Sequence, residues 1–243
     1  MLDPAARAEL KTLPMDLADS VARYLVAAGV EEDPDLAYRY AKEARRLAAR
    51  VGVVREANGI AAYRAEQWAE AIAELRAARR LTGRNSSLPL IADSERALGR
   101  LDKALALVHA PQVPALDRAT QIELTIVESG IRRDQGLDDA ALIVLQVREL
   151  NDGRSHPWSA RLSYAYADAL LGLGRRDEAR DWFSRAAGQD VDRETDAAER
   201  FEELDDVVLE DLGDLPGEEP EEIGDLLEEN GGDDVILENL GEA

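Results

Sequence analysis

The chain contains no cysteine, which excludes disulfides, thiolate zinc sites, iron–sulfur clusters and a cysteine nucleophile together. Histidine is almost as scarce. The two that occur, His109 and His156, stand far apart and show no second histidine at helical spacing, so a metal site or a histidine acid–base pair is not expected. Aromatic residues make up 5% of the chain, and the β-branched and aromatic runs that mark strands are lacking. The longest aliphatic run, Ala140 to Leu145, falls far short of the ~20 residues that span a bilayer. Met1-Leu2-Asp3-Pro4-Ala5 carries neither the basic region nor the apolar core of an export signal. These absences predict a cytoplasmic protein with no membrane association.

Charge is what the chain has in excess. It carries 51 acidic and 29 basic residues, a formal net charge of −22. Eighteen of the carboxylates and none of the basic residues lie between Phe201 and Ala243, so the first 200 residues are nearly neutral. Within that body, Arg39 to Arg84 is locally basic, with 11 Lys or Arg against five Glu. Arg45, Arg46, Arg79 and Arg80 form its candidate basic patch. The overall balance makes direct, stable nucleic-acid binding by the intact chain unlikely.

The body is rich in Ala, Leu, Arg and Glu, the stronger helix formers. Helical segments of about 12 to 17 residues alternate with short breaks such as Val51-Gly52, Ala65 to Gln67, Leu98 to Leu101 and Gly172 to Arg175. Such close spacing predicts antiparallel helical hairpins in an all-α fold.

The segment Arg161 to Ala187 resembles a tetratricopeptide repeat, with Ala167, Gly174, Ala179, Phe183 and Ala186 at matching places in a unit that starts at Ala160. The same template gives Leu25, Ala37, Ala41 and Ala44 from Ala18, and Gly59, Ala71, Leu75 and Ala78 from Gly52. Weaker units start at Asn85 (Ala92, Gly99, Ala104, Val108, Pro111) and at Gln121 (Glu128, Ala140, Val144, Val147), where Glu128 departs from the small residue expected. The alternative is a non-repeating all-α domain in which two hairpins match by accident. The resemblance implies a helical hairpin solenoid of about five units over 18–193, preceded by an N-terminal extension at 1–17. An amphipathic acidic capping helix at 194–215 follows from Phe201, Leu204, Val208, Leu212 and Leu215, spaced as one helical stripe. The remaining 216–243 reads as an acidic, flexible, disordered tail with two aliphatic clusters, Ile223/Leu226/Leu227 and Val235/Ile236/Leu237/Leu240.

Members of that family are in general scaffolds without enzymatic activity that hold peptides or partner domains in a groove lined by first helices. The resemblance therefore implies no catalysis, no cofactor and a protein or peptide partner. Carried over by position, the groove offers Asp19, Ala22 and Val26 in the first unit. Later units offer Tyr63, Arg64, Arg132, Arg133 and Tyr164 as the chief partner contacts. The Lys and Asn with which chaperone-tail binders of the family clamp a terminal carboxylate are replaced by Ala22 and Val26. The alternative function is an acidic accessory factor that regulates a ribosome- or nucleic-acid-associated partner through its polyanionic tail. Trp68, Trp182 and Phe183 read as packing residues. Of Tyr164 and Tyr166, one is expected in the groove, because alternate residues cannot share a helix face.

Overall fold

A computed structural model describes residues 2–213, with side chains up to Asp205. The expected flexible tail at 216–243, its two aliphatic clusters, and the side chains of Val208 and Leu212 lie outside the described residues. Within them there are twelve α-helices and no strand: α1 Pro4–Leu10, α2 Met15–Val30, α3 Pro34–Ala48, α4 Gly52–Arg64, α5 Trp68–Thr82, α6 Leu88–Ala97, α7 Leu101–Val108, α8 Arg118–Asp134, α9 Asp138–Val144, α10 Ser159–Gly172, α11 Arg176–Gln189 and α12 Ala197–Gly213. None of these helices is long and apolar enough to cross a membrane.

Ten helices pair in chain order as α2–α3, α4–α5, α6–α7, α8–α9 and α10–α11, and the first helices α2, α4, α6, α8 and α10 pack successively on one another. Four of the tight turns inside these pairs are the same turn. Glu66, Gly99, Gly136 and Gly174 each take a left-handed conformation, with φ of 56°, 70°, 72° and 72°. The next residue then donates its N–H five positions back, from Gln67 to Ala62, Arg100 to Glu95, Leu137 to Arg132 and Arg175 to Leu170, at 2.8 to 3.0 Å. This is the Schellman closure, which satisfies helix-end carbonyls through a residue at positive φ. Glycine serves in three of the four; Glu66 takes the same conformation without that freedom.

Second helices turn alanine inward. Ala37, Ala41 and Ala44 on α3, Ala71, Leu75 and Ala78 on α5, and Ala179, Phe183 and Ala186 on α11 are all buried. Such small contacts let backbones come close. A Cβ built on Gly59 of α4 would lie 2.6 Å from the Leu75 side chain and 3.1 Å from its backbone nitrogen. The fourth pair departs from expectation. Burial falls on Ser129, Ala141 and Leu145, not on Glu128, Ala140 and Val144, so this pair runs one residue later than the sequence pattern indicated. Ser129 is thus the small residue that seemed to be missing. Glu128 is half-buried off that contact, 14% exposed, and lies 2.9 Å from His109 and 3.1 Å from Arg132.

The apolar core runs in series. One cluster joins α1 to α4 around Val21, Leu25 and Val54, another joins α6 to α8 around Leu88, Leu124 and Ile131, and the largest joins α8 to α12 around Leu162, Leu170 and Phe183. At the near end, α1 is fastened by Glu9, which accepts from the Val53 N–H at 2.8 Å and pairs with Arg84 at 2.8 Å. At the far end, α12 packs on α11 through buried Ala197 and Leu204 with Phe201 beside them, and Arg200 lies over the Phe183 ring. Asp190 organises the approach to α12 by accepting from Glu194 N, Thr195 N and Thr195 Oγ1 at 2.6 to 2.8 Å.

Replacing Gly59, Ser129 or Ala167 by Leu should each destabilise the chain by about 1 to 3 kcal/mol, because overpacking there has no slack. Glu128→Leu should change chemical-denaturation midpoints far less. Equal effects at 128 and 129 would contradict the register of α8. Truncation after Arg200 strips Phe201 and Leu204 from the core, about 1.5 to 3 kcal/mol each. The melting temperature should fall by roughly 5 to 15 °C.

Candidate functional site

The recurring turns set a common numbering for the first helices, and it determines which side chains share a face. The residue three before each left-handed position is Tyr63 on α4, Arg96 on α6, Arg133 on α8 and Leu171 on α10. The residue six before is Ile60, Asp93, Gly130 and Asp168. Successive first helices therefore present the same two rows side by side, and side chains of one row reach the other row of the next helix.

Tyr63 donates to Asp93 Oδ2 at 2.5 Å, from α4 to α6. Arg133 pairs with Asp168, from α8 to α10. Between them the acid position is Gly130, and Arg96 lies flat against it, its Nε and Cζ 3.3 Å from where a Cβ would be. Arg96 binds Asp93 at 2.8 Å on its own helix and Asp134 at 3.0 Å at the end of α8. Arg161 on α10 closes the series on Glu123 of α8, at 2.6 Å, and on Glu194. These groups line a cleft of about 420 Å³ floored by Leu90, Ile126 and Val127, with Tyr63 and Tyr164 among its walls.

Tyr164 meets the Phe183 ring edge-on at 5.3 Å, whereas Tyr166 packs on Trp182 at 4.6 Å, so Tyr164 is the one that reaches the cleft. Burial, and then Asp93, push the Tyr63 phenol above its ordinary value of 10.0. Burial, followed by a hydrogen bond to Asp196, does the same to Tyr164. Both remain neutral donors across the physiological range.

The chain matches no family model and no curated protein.

Of the five expected contacts, Tyr63, Arg133 and Tyr164 meet in one cleft. Arg64 does not. It is exposed at the end of α4 and donates to the Glu31 carbonyl at 3.3 Å. Arg132 is also away from the cleft, turned toward Glu128 and Gln135. Its misplacement follows from the one-residue register shift, since one residue rotates a side chain by about 100° around a helix. Arg161 and Asp168, groove positions of the fifth unit by the same carry-over, also line the cleft; Glu123 and the α6 pair Asp93 and Arg96 join them, and α6 contributed nothing to the sequence-based groove.

The four arginines of the expected basic patch differ in their surroundings. Arg45 is bound to Glu74 at 2.7 Å, a carboxylate also held by Arg55 at 2.8 Å and 3% exposed. Arg46 pairs with Glu43, and Arg79 donates to Asn85 Oδ1 at 2.7 Å. Arg80 is exposed. A second carboxylate is clasped in the same way, Glu95, 1% exposed, between Arg76 and Arg100. Arg45, Arg55 and Arg76 of the basic stretch therefore neutralise acids buried between helices. The histidines also have partners that spacing did not reveal. His109 lies against Glu128, and His156 lies 2.9 Å from Asp152 and stacks on Trp158.

Because Tyr63 ionises later in the folded chain than in the unfolded one, its contribution is fully present below pH 10 and is lost as the pH rises above that value. Tyr63→Phe should therefore cost about 1 kcal/mol at neutral pH yet flatten the loss of stability in alkali. Urea unfolding followed from pH 8 to pH 11 checks the slope.

Proposed function

We propose that the chain is a tetratricopeptide-type interaction scaffold, a solenoid of five helical hairpins that holds a protein or peptide partner in the cleft of its first helices and carries out no catalysis. The observation that carries this reading is the alignment of equivalent first-helix positions into one cleft, Tyr63, Arg96 and Arg133 in one row and Asp93, Gly130 and Asp168 in the other. The recurrence of the same left-handed turn at 66, 99, 136 and 174 supports the repeat assignment, with spacings near those of the family's 34-residue unit. Aromatic and arginine side chains are the residues that most often carry binding energy at protein interfaces. Here they stand over an aliphatic floor that suits an amphipathic peptide or helix.

The paired charges shape what the cleft accepts. Each arginine is already bound to a carboxylate, so an incoming peptide exchanges partners rather than meeting a bare cation. The penalty for desolvating an unmatched charge then disfavours ligands of one sign. Partners of mixed polarity fit such a cleft best. No cofactor is assigned. The charge pattern of 201–243, with 18 acids and no base, supports a second role in which the tail engages a basic partner.

Affinity capture with the intact chain and with Tyr63→Ala/Tyr164→Ala, read by quantitative mass spectrometry, tests the assignment. The principal partner should fall at least about tenfold, equivalent to 1.4 kcal/mol, while circular dichroism is unchanged. Full retention of that partner by a folded double variant refutes the cleft as its binding site.

A further inference from the structure

The first hairpin presents a different surface from the rest. At the groove positions where α10 carries Tyr164 and Asp168, α2 carries Ala22 and Val26, and beside them α1 leaves a recess of about 560 Å³. Leu2, Leu10, Leu13 and Met15 make its walls, and Met15 is 77% exposed. Arg7 and Lys11 stand on its rim and Arg23 on the adjoining surface of α2. Among the described residues, none of these three cations has a carboxylate partner. Asp19 is the one acid on the lining. This is an apolar trough edged by free positive charge, the inverse of the paired and polar central cleft.

The chain itself carries a segment of matching chemistry. Val235, Ile236, Leu237 and Leu240 are flanked by Asp233, Asp234, Glu238 and Glu242, with no basic residue among them. Reach selects this cluster over the earlier one. Five first helices about 10 Å apart place α2 no more than roughly 50 Å from α12. The ten residues from Gly213 to Ile223 extend about 35 Å, whereas the twenty-two from Gly213 to Val235 extend about 75 Å.

We propose that the recess between α1 and α2 receives the chain's own C-terminal segment Asp233–Leu240 within the same molecule, its aliphatic side chains against Ala22, Val26 and Leu13 and its carboxylates toward Arg7, Lys11 and Arg23. Any competitor for the recess must present the same combination of aliphatic and acidic side chains. The proposal is independent of what occupies the central cleft.

The absence of native cysteine allows a direct test in the full-length chain. Cysteines introduced as Met15→Cys and Glu238→Cys are compared with Val191→Cys and Glu238→Cys, using a short bismaleimide at micromolar protein. Met15 and Val191 are both highly exposed, 77% and 89%, so neither replacement disturbs packing, and Val191 stands in the link between α11 and α12, outside the recess. Docking should make the Met15 pair crosslink within one chain roughly fivefold or more faster than the Val191 pair, because a bound segment raises effective concentration. Adding Ile236→Asp and Leu240→Asp, which leave the described helices untouched, should bring the Met15 rate down to that of Val191 or below. Crosslinks formed mainly between two chains would overturn the proposal in favour of a second copy as occupant. A Met15 rate no greater than that of Val191, or a rate indifferent to the aspartates, would overturn it outright.

Discussion

Helices in this protein meet through alanine. Where α3, α5, α7, α9 and α11 turn inward they present Ala37, Ala41, Ala44, Ala71, Ala78, Ala104, Ala141, Ala179 and Ala186, nearly all without measurable exposure. Small contacts bring backbones close and gain dispersion from dense packing, but each removes less apolar surface from water than a leucine would. A chain built this way cannot rely on one deep core. It uses clusters arranged in series, each shared by neighbouring hairpins, and its stability depends on how well each pair fits the next. The contact of Gly59 with Leu75, where an added Cβ has no room, expresses that constraint directly.

Electrostatics complement the thin packing. Glu74 and Glu95 are almost fully buried, and each is held by two arginines drawn from different elements. Removing one partner from such a clasp leaves a charge stranded in a medium that solvates it poorly, which makes the hairpin order specific even where the net gain in stability is small. Three of those arginines, Arg45, Arg55 and Arg76, belong to the locally basic stretch between 39 and 84. A count of charges could not distinguish a cationic surface from a set of internal clasps, because both have the same composition.

The two halves of the first-helix surface follow from one numbering with different residues. From α4 onward, equivalent positions carry groups that reach across to the next helix, and the result is a polar cleft with every arginine satisfied. On α2 the equivalent positions are Val26 and Gly29, which cannot form such links, and α1 folds beside α2 to leave an apolar recess. One architecture thus offers two surfaces of different chemistry, a central cleft of paired charges and a terminal apolar recess lined also by Arg7 and Lys11.

Helix content, the places where helices break, and the inward alanines of the first, second and fifth hairpins were legible in the sequence, because they rest on local preferences and on a period that alanine, glycine and proline mark plainly. Tyr63, Arg133 and Tyr164 were legible as cleft residues for the same reason. The register of α8 and α9 was not. Ala140 and Ala141 are adjacent and chemically identical, so the pattern admits both choices; contact with neighbouring hairpins buries Ala141 and Ser129, and that rotation moves Arg132 out of the cleft while leaving Arg133 inside. The partners of Glu74 and Glu95, the Asp134 partner of Arg96 and the Glu128 partner of His109 were likewise invisible, since they come from helices many residues away or across a turn. Composition and periodicity determined that this chain folds as paired helices; the packing of each pair on the next decided which side chains meet.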